Sequence, residues 1–416
     1  MAWLGGLIVI LTFAAIVKRY ETRMVLFLSG LLMAAASGKW KAAFDAFSAA
    51  MVNTGLVPVI CSVMGFAYVM KVTKCDSHLV HLLAGFLSRF RLILIPGAVL
   101  VTFAVNIALP SAAGCAAAVG AILIPTLMSA GIHPAIAASA VMAGTWGSCF
   151  NPGNAHNPFI AKLANSDVMT VIGNHSFAAL VGVAVVAVSL TIIAKIRRED
   201  HGYASELLKA DGEAFKVNFI KAMVPLVPLV LLVAGSKQIQ LIPEMSVVQA
   251  MIIGVMLGFV VQLKEPQEIS KQFFAGMGEA YGSVIGIIIA AAVFTKGMEL
   301  IGLTTALIDV MKQSESIAKV AATFGPFIIA VLSGSGDAAT LAFNGAITPH
   351  AKQFGFNIID MGSQAFLSGA LGRSMSPVAG AAIVCATLAN VNPIEITKRN
   401  GVGMVLTALV TMFILL

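Results

Sequence analysis

The chain has 416 residues, 59% hydrophobic and 11% charged, with a mean hydropathy of +0.94 and a formal net charge of +7. This composition excludes an ordinary soluble surface, and apolar runs of about 16 to 23 residues match a bilayer's thickness, so the sequence reads as an all-α polytopic membrane protein in a lipid bilayer. The positive charge does not call for nucleic acid, because the basic residues sit in short loops between apolar runs, where positive-inside topology accounts for them.

Residues 2–17 are apolar, with Lys18, Arg19 and Arg23 after the run, the pattern of an uncleaved first helix with its N-terminus outside. A second run covers 24–36, and Lys39 to Asn53 is amphipathic enough to lie along the interface. A third span covers 55–71. From Lys71 to Arg91, Leu79, Leu82, Leu83 and Phe86 recur at helical spacing among Lys71, Lys74, Arg89 and Arg91, which predicts a surface helix on the cytoplasmic face.

Residues 92–128 hold the knot Leu109-Pro110-Ser111-Ala112-Ala113-Gly114 between two apolar limbs. Read as a re-entrant hairpin, the segment leaves about twelve Lys/Arg of this half on one face and about three on the other; read as a span, it scatters them. The hairpin is therefore predicted. A helix over 133–164 is broken at Gly147-Ser148-Cys149-Phe150-Asn151-Pro152-Gly153-Asn154, since Pro and Gly inside an apolar run free backbone groups. A span over 173–195 ends at Lys195, Arg197 and Arg198, and 197–216 forms a cytoplasmic linker.

The second half, 217–416, repeats the first, 1–196. Spans fall at 217–236, 246–262 and 281–296. They are followed by an amphipathic segment to Glu315, a hairpin over 316–354 around Ser333-Gly334-Ser335-Gly336-Asp337, a helix over 357–389 broken at Gly372-Arg373-Ser374-Met375-Ser376-Pro377, and a last span at 400–416. Displacing the chain by 225 residues sets Gly147 on Gly372 and Pro152 on Pro377; one residue less sets Ser111 on Ser335 and Gly131 on Gly355. Each half holds three spans, a re-entrant hairpin, a broken helix and a final span. Five crossings per half make the second copy inverted, for about ten spans and two hairpins.

Such hairpins and breaks bring half-helix ends toward the bilayer midplane, where free N–H groups and positive dipole ends attract anions. The candidate substrate-binding residues are Ser111, Ala112 and Gly114 on the first tip, and Gly147, Asn151, Gly153 and Asn154 in the first break. In the second half they are Ser333, Gly334, Ser335, Gly336 and Asp337 on the tip, and Arg373, Ser374 and Ser376 in the break. Only Asp337 and Arg373 are charged within these knots. Arg373 reads as a bidentate clamp on a substrate carboxylate or as a structural partner of Asp337. Asp337 reads as a sodium ligand, a proton carrier or a counter-ion to Arg373. His156 is a polar residue satisfied beside the break or a proton relay.

Cys61, Cys75, Cys115, Cys149 and Cys385 show no C-x-x-C spacing and read as core fillers. There is no G-x-S-x-G, H-E-x-x-H or P-loop pattern, so no enzyme and no cofactor is expected, only a coupling ion, proton or sodium.

Gly334-Ser335-Gly336, Leu371-Gly372-Arg373-Ser374-Met375-Ser376-Pro377-Val378-Ala379-Gly380 and Asn392-Pro393 followed by Lys398-Arg399 resemble the DcuC family of anaerobic four-carbon dicarboxylate carriers, within the ion transporter superfamily. The likeness extends more weakly through Ser111–Gly131 and Pro152. It implies secondary transport of fumarate, malate, succinate or aspartate, by exchange or proton-coupled efflux. It also implies a bacterial inner-membrane homodimer in which hairpins and broken helices move as an elevator against a scaffold. The residues alone leave open a carrier of another organic acid or amino acid, with Asp337 facing a substrate amine, and a channel or non-transporting receptor on the same scaffold.

Overall fold

The structure, a computed structural model, describes residues 1–87, 93–203, 215–236, 239–261, 266–312 and 314–416, and every regular element among them is helical. Helices α1 (Ala2–Val17), α2 (Thr22–Ala36) and the interfacial α3 (Trp40–Met51) lead to α4 (Val57–Val72), which turns through 73° into α5 (Cys75–Leu87). Leu79 and Val80 of α5 are buried, so this predicted surface helix packs one face inward; Arg89 and Arg91 lie outside the described residues. The limbs α6 (Leu94–Ala108) and α7 (Ala112–Ser129) flank the first knot. Then come α8 (Pro134–Ala143), a 3₁₀ turn at Gly147–Phe150, α9 (His156–Leu163) and α10 (Val168–Ile196).

The second half begins with α11 (Phe219–Ala234), α12 (Val247–Val261) and α13 (Pro266–Leu300), the last containing a π turn at Ala280–Ile285. It continues with α14 (Leu303–Met311), α15 (Glu315–Ser333) and α16 (Gly336–Ala346), the latter passing at Thr348, before Pro349, into a 3₁₀ stretch to Phe354. It ends with α17 (Ile358–Met375), α18 (Gly380–Ala389) and α19 (Pro393–Leu415).

Two elements exceed their predicted lengths. The span expected at 281–296 is the second part of α13, joined through the π turn to the segment that in the first half is the separate α3. The last span begins at Pro393, not 400: Asn392 caps it by accepting from the Ile394 amide at 2.9 Å, and Lys398 and Arg399 in its first turns pair with acids. Arg399, 3% exposed, binds both oxygens of Glu199 and one of Glu395.

By length and composition six helical segments among the described residues can cross a membrane: α7, α10, α13, α15, the pair α17–α18, and α19. The bent pair α4–α5 would make a seventh, and α1, α2, α6, α11 and α12 are shorter apolar helices. A 15-residue helix rises about 22 Å, less than a bilayer core of about 30 Å, so the predicted ten spans require several short helices to count as crossings.

The local geometry repeats at the displacement found in the sequence. Gly131 and Gly355 adopt φ of 91° and 89°, Asn165 and Asn390 φ of 50° and 52°. Packing is reciprocal between the halves. Arg23 donates to the Gly282 carbonyl at 2.7 Å and Gly30 lies against Val293 and Phe294, so α2 and α13 run parallel. Phe66 meets Gly254 and Val69 meets Gly258, so α4 and α12 also run parallel. The final helices α10 and α19 run antiparallel, because Glu199 meets Arg399 while Gly182 meets Thr407.

Candidate functional site

The first tip is built by Ser111, whose Oγ accepts from the Gly114 amide at 3.2 Å and starts α7. At the second tip α15 ends on Gly334, φ 76°, where a Cβ would stand 2.9 Å from the backbone of Val378 and Ala379; only glycine turns here without strain. Ser333 Oγ donates to the Ile329 carbonyl at 2.7 Å and accepts from the Ser335 amide at 3.2 Å, so this hydroxyl is spent on the turn itself.

Each break rests on a helix that leads into one of the knots. A Cβ on Gly147 would collide with the Phe103 carbonyl of α6, and one on Gly372 with the Phe327 carbonyl of α15. The carbonyls freed by the breaks find partners on the last helix of the same half. His175 Nε2 lies 3.1 Å from the Cys149 oxygen, which also accepts from Asn157 at 2.8 Å; Asn400 donates to the Ser374 oxygen at 3.4 Å. His175 and Asn400 are themselves 225 positions apart. Unpaired backbone groups at membrane depth are costly, which explains a buried His and a buried Asn in otherwise apolar helices.

Tips and breaks meet at one cavity of about 400 Å³, in the range of small-molecule sites. Of the residues picked out from sequence, Ser111, Ala112, Gly153, Asn154, Gly336, Asp337 and Arg373 line it. Gly147, Asn151, Ser374 and Ser376 are buried behind it, and Gly114, Ser333, Gly334 and Ser335 shape the tips. Asn151 donates to the Ile107 carbonyl at 2.7 Å and accepts from the Gly153 amide at 2.8 Å; Ser374 Oγ donates to Ala370 at 2.9 Å; Ser376 Oγ accepts from Val378 at 3.3 Å. Their polar atoms are consumed in holding the break open.

The two charged residues do not pair with each other. Arg373 donates from Nη2 to the Thr145 carbonyl at 2.7 Å, with Nη1 3.5 Å from its hydroxyl, and has no ion pair within 4.0 Å among the described residues. Asp337 is held by the other half: its Oδ1 lies 2.9 Å from His156 Nε2. His156 is 2% exposed, stacks on Phe366 with centroids 4.5 Å apart, and its Nδ1 has no partner among the described residues. The Asp337 side chain is 67% exposed, opening onto the cavity it lines.

Sequence reasoning missed Thr145, two residues before the break, and a further wall, formed by Ile60 and Met64 of α4 with Glu279, Ser283 and Ile287 of α13. The signal for that wall was a polar, glycine-spaced stretch, Gly276 to Ser283, directly before an apolar run. It coincides with the π turn, an irregularity often found at functional sites.

Comparison with known proteins agrees with this architecture. The family described as DcuC, C4-dicarboxylate anaerobic carrier, matches residues 4–416. A putative uncharacterized transporter of Haemophilus influenzae is 40% identical over 270 residues, 62% of this chain and 97% of its own. The anaerobic C4-dicarboxylate transporter DcuC of Escherichia coli is 24% identical over 314 residues, 71% of this chain and 66% of its own. Among solved structures, the YdaH transporter of Alcanivorax borkumensis superposes with a TM-score of 0.61 at 14% identity, over 91% of this chain and 88% of that one.

Proposed function

Because the chain belongs to the DcuC family of C4-dicarboxylate anaerobic carriers, we propose that it is a secondary active transporter of small dicarboxylates of the fumarate, malate, succinate and aspartate class. It is a multi-pass membrane carrier rather than an enzyme. The observation that carries the substrate reading is Arg373. Its guanidinium is fixed by Thr145, opens onto the cavity without an ion partner, and so presents unused N–H groups to one carboxylate. The second carboxylate would meet the start of α7 at Ser111 and Ala112.

Movement is proposed as an elevator, with hairpins and broken helices sliding past a scaffold containing α4 and α13, in a homodimer of the bacterial inner membrane with the N-terminus outside. The parallel runs of α2 with α13 and of α4 with α12, and the antiparallel run of α10 with α19, support two inverted repeats. Transport is exchange or is coupled to a proton or sodium ion. Asp337, the acid at a hairpin tip, is where such an ion would sit when the substrate brings no cation.

The test is labelled-succinate counterflow in proteoliposomes, with and without sodium and with an imposed pH gradient. Competition by fumarate and malate, lost in Arg373→Ala, is expected. Counterflow that survives Arg373→Ala unchanged would overturn the reading.

A further inference from the structure

We propose that the preferred substrate carries an ammonium group beside its carboxylates, so that within the four-carbon class the cavity selects an amino dicarboxylate such as aspartate over succinate. The inference rests on the dicarboxylate reading above and is carried by the charges that line the cavity. These are Arg373 on one side and two acids, Asp337 at the tip of α16 and Glu279 across from it on α13. The fourth titratable group is His156.

His156 occupies only one side of the Asp337 carboxylate. Its Nε2 lies 2.9 Å from Asp337 Oδ1, and its buried Nδ1 has no partner among the described residues. The ring therefore holds Asp337 Oδ1 in place, while the rest of the Asp337 side chain, 67% exposed, stays open to the cavity it lines. No ion pair to Glu279 or from Arg373 to Asp337 exists within 4.0 Å among the described residues. Beside His156 the wall carries one basic and two acidic side chains, and a plain dianion would bring two further carboxylates next to acids that no Lys or Arg among the described residues pairs with.

An amino dicarboxylate matches this pattern group by group. One carboxylate takes the Arg373 fork, the ammonium takes Asp337 Oδ2, and the other carboxylate takes the start of α7. The second tip differs from the first here: α16 carries its own acid in its first turn, while α7 begins Ala112-Ala113-Gly114 with none. The helix dipole of α16 is thus already answered by Asp337, and that of α7 is open to substrate.

The test is counterflow on the full-length protein with labelled L-aspartate and labelled succinate in parallel, with and without sodium, competed by L-serine, fumarate and malate. Aspartate is expected to half-saturate at a concentration roughly tenfold or more below succinate, independent of sodium, because a site built around a polar partner rejects the analogue lacking it. In Asp337→Asn the aspartate-to-succinate preference should fall roughly tenfold, whatever the overall rate. Succinate equal to or better than aspartate in the wild type overturns the inference, as does aspartate exchange that needs sodium. Should neither four-carbon acid exchange while L-serine does, the ammonium site stands and the dicarboxylate reading falls. Should only unaminated acids exchange, the reverse holds. The wild-type comparison decides the matter even if the variant fails to fold.

Discussion

His156 Nε2 and Asp337 Oδ1 lie 2.9 Å apart although 181 residues separate them, one at the break of the first half and the other at the hairpin tip of the second. The contact fixes which way the carboxylate points. His156→Ala should free Asp337 to swing toward Arg373 and remove a charge-assisted hydrogen bond worth about 1.5–3 kcal/mol. Half-saturation for the preferred substrate should rise roughly tenfold or more, and His156→Gln, whose amide can still donate, should recover part of it. Transport kinetics in proteoliposomes measure both.

Arg373→Lys separates charge from shape. Lysine keeps the cation but cannot make the fork, nor hold to the Thr145 carbonyl while binding a carboxylate. Affinity for every dicarboxylate should drop about tenfold or more, and Arg373→Ala should lose transport outright. A lysine variant with unchanged half-saturation would make Arg373 a structural residue.

Gly147→Ala and Gly372→Ala each place a methyl group against a carbonyl, that of Phe103 or Phe327, on a rigid helix. Each should lower stability by about 1–3 kcal/mol, and the two should show similar effects because they occupy matching places. All five cysteines are free and buried, so a thiol-reactive fluorophore reports unfolding directly, read as a fall in the labelling temperature.

Arg399→Ala leaves Glu199 without its cation, while Glu395 keeps Lys398 at 2.6 Å. The expected loss is about 3–5 kcal/mol. Adding Glu199→Gln should restore part of it, which a general packing defect would not allow. The same thermal assay distinguishes the two outcomes.

Ser111→Cys in a background without the native cysteines should react with a small thiosulfonate reagent, because Ser111 is exposed at the cavity. Saturating substrate should slow that reaction severalfold. Labelling unaffected by any substrate would remove the first tip from the binding site.

Much of this was legible in the sequence because glycine, proline and serine punctuate apolar runs where backbone must break. The tips at Ser111 and Gly334 and the break at Gly147 stand where that chemistry placed them, whereas α17 continues through Gly372 to Met375 and the second break opens only at Ser376. What pairing does with charge was not legible. Nothing local to Asp337 points to His156, and nothing local to Arg373 points to Thr145, 228 residues away, because these contacts arise only when one half packs into the other. The start of α19 was missed for the same reason: Lys398 and Arg399 read as loop until Glu199 and Glu395 neutralise Arg399. The α13 wall stayed hidden because the π turn leaves its mark only as closely spaced glycines.

Thr407 Oγ1 donates to the Gly182 carbonyl at 3.3 Å, and these two positions are exchanged by the 225-residue displacement. Here the two final helices touch at positions that the displacement sets on one another. Were the halves separate, identical molecules, this spot would set one residue against itself, and every polar feature of the site would occur twice. Joined in one chain, the corners are free to diverge. Asp337 and His156 occupy one corner, while Ala113 sits beside Gly380, next to Ala381, at the other. The two corners thus differ in chemistry, which makes a single-handed receptacle able to tell one end of a short molecule from the other.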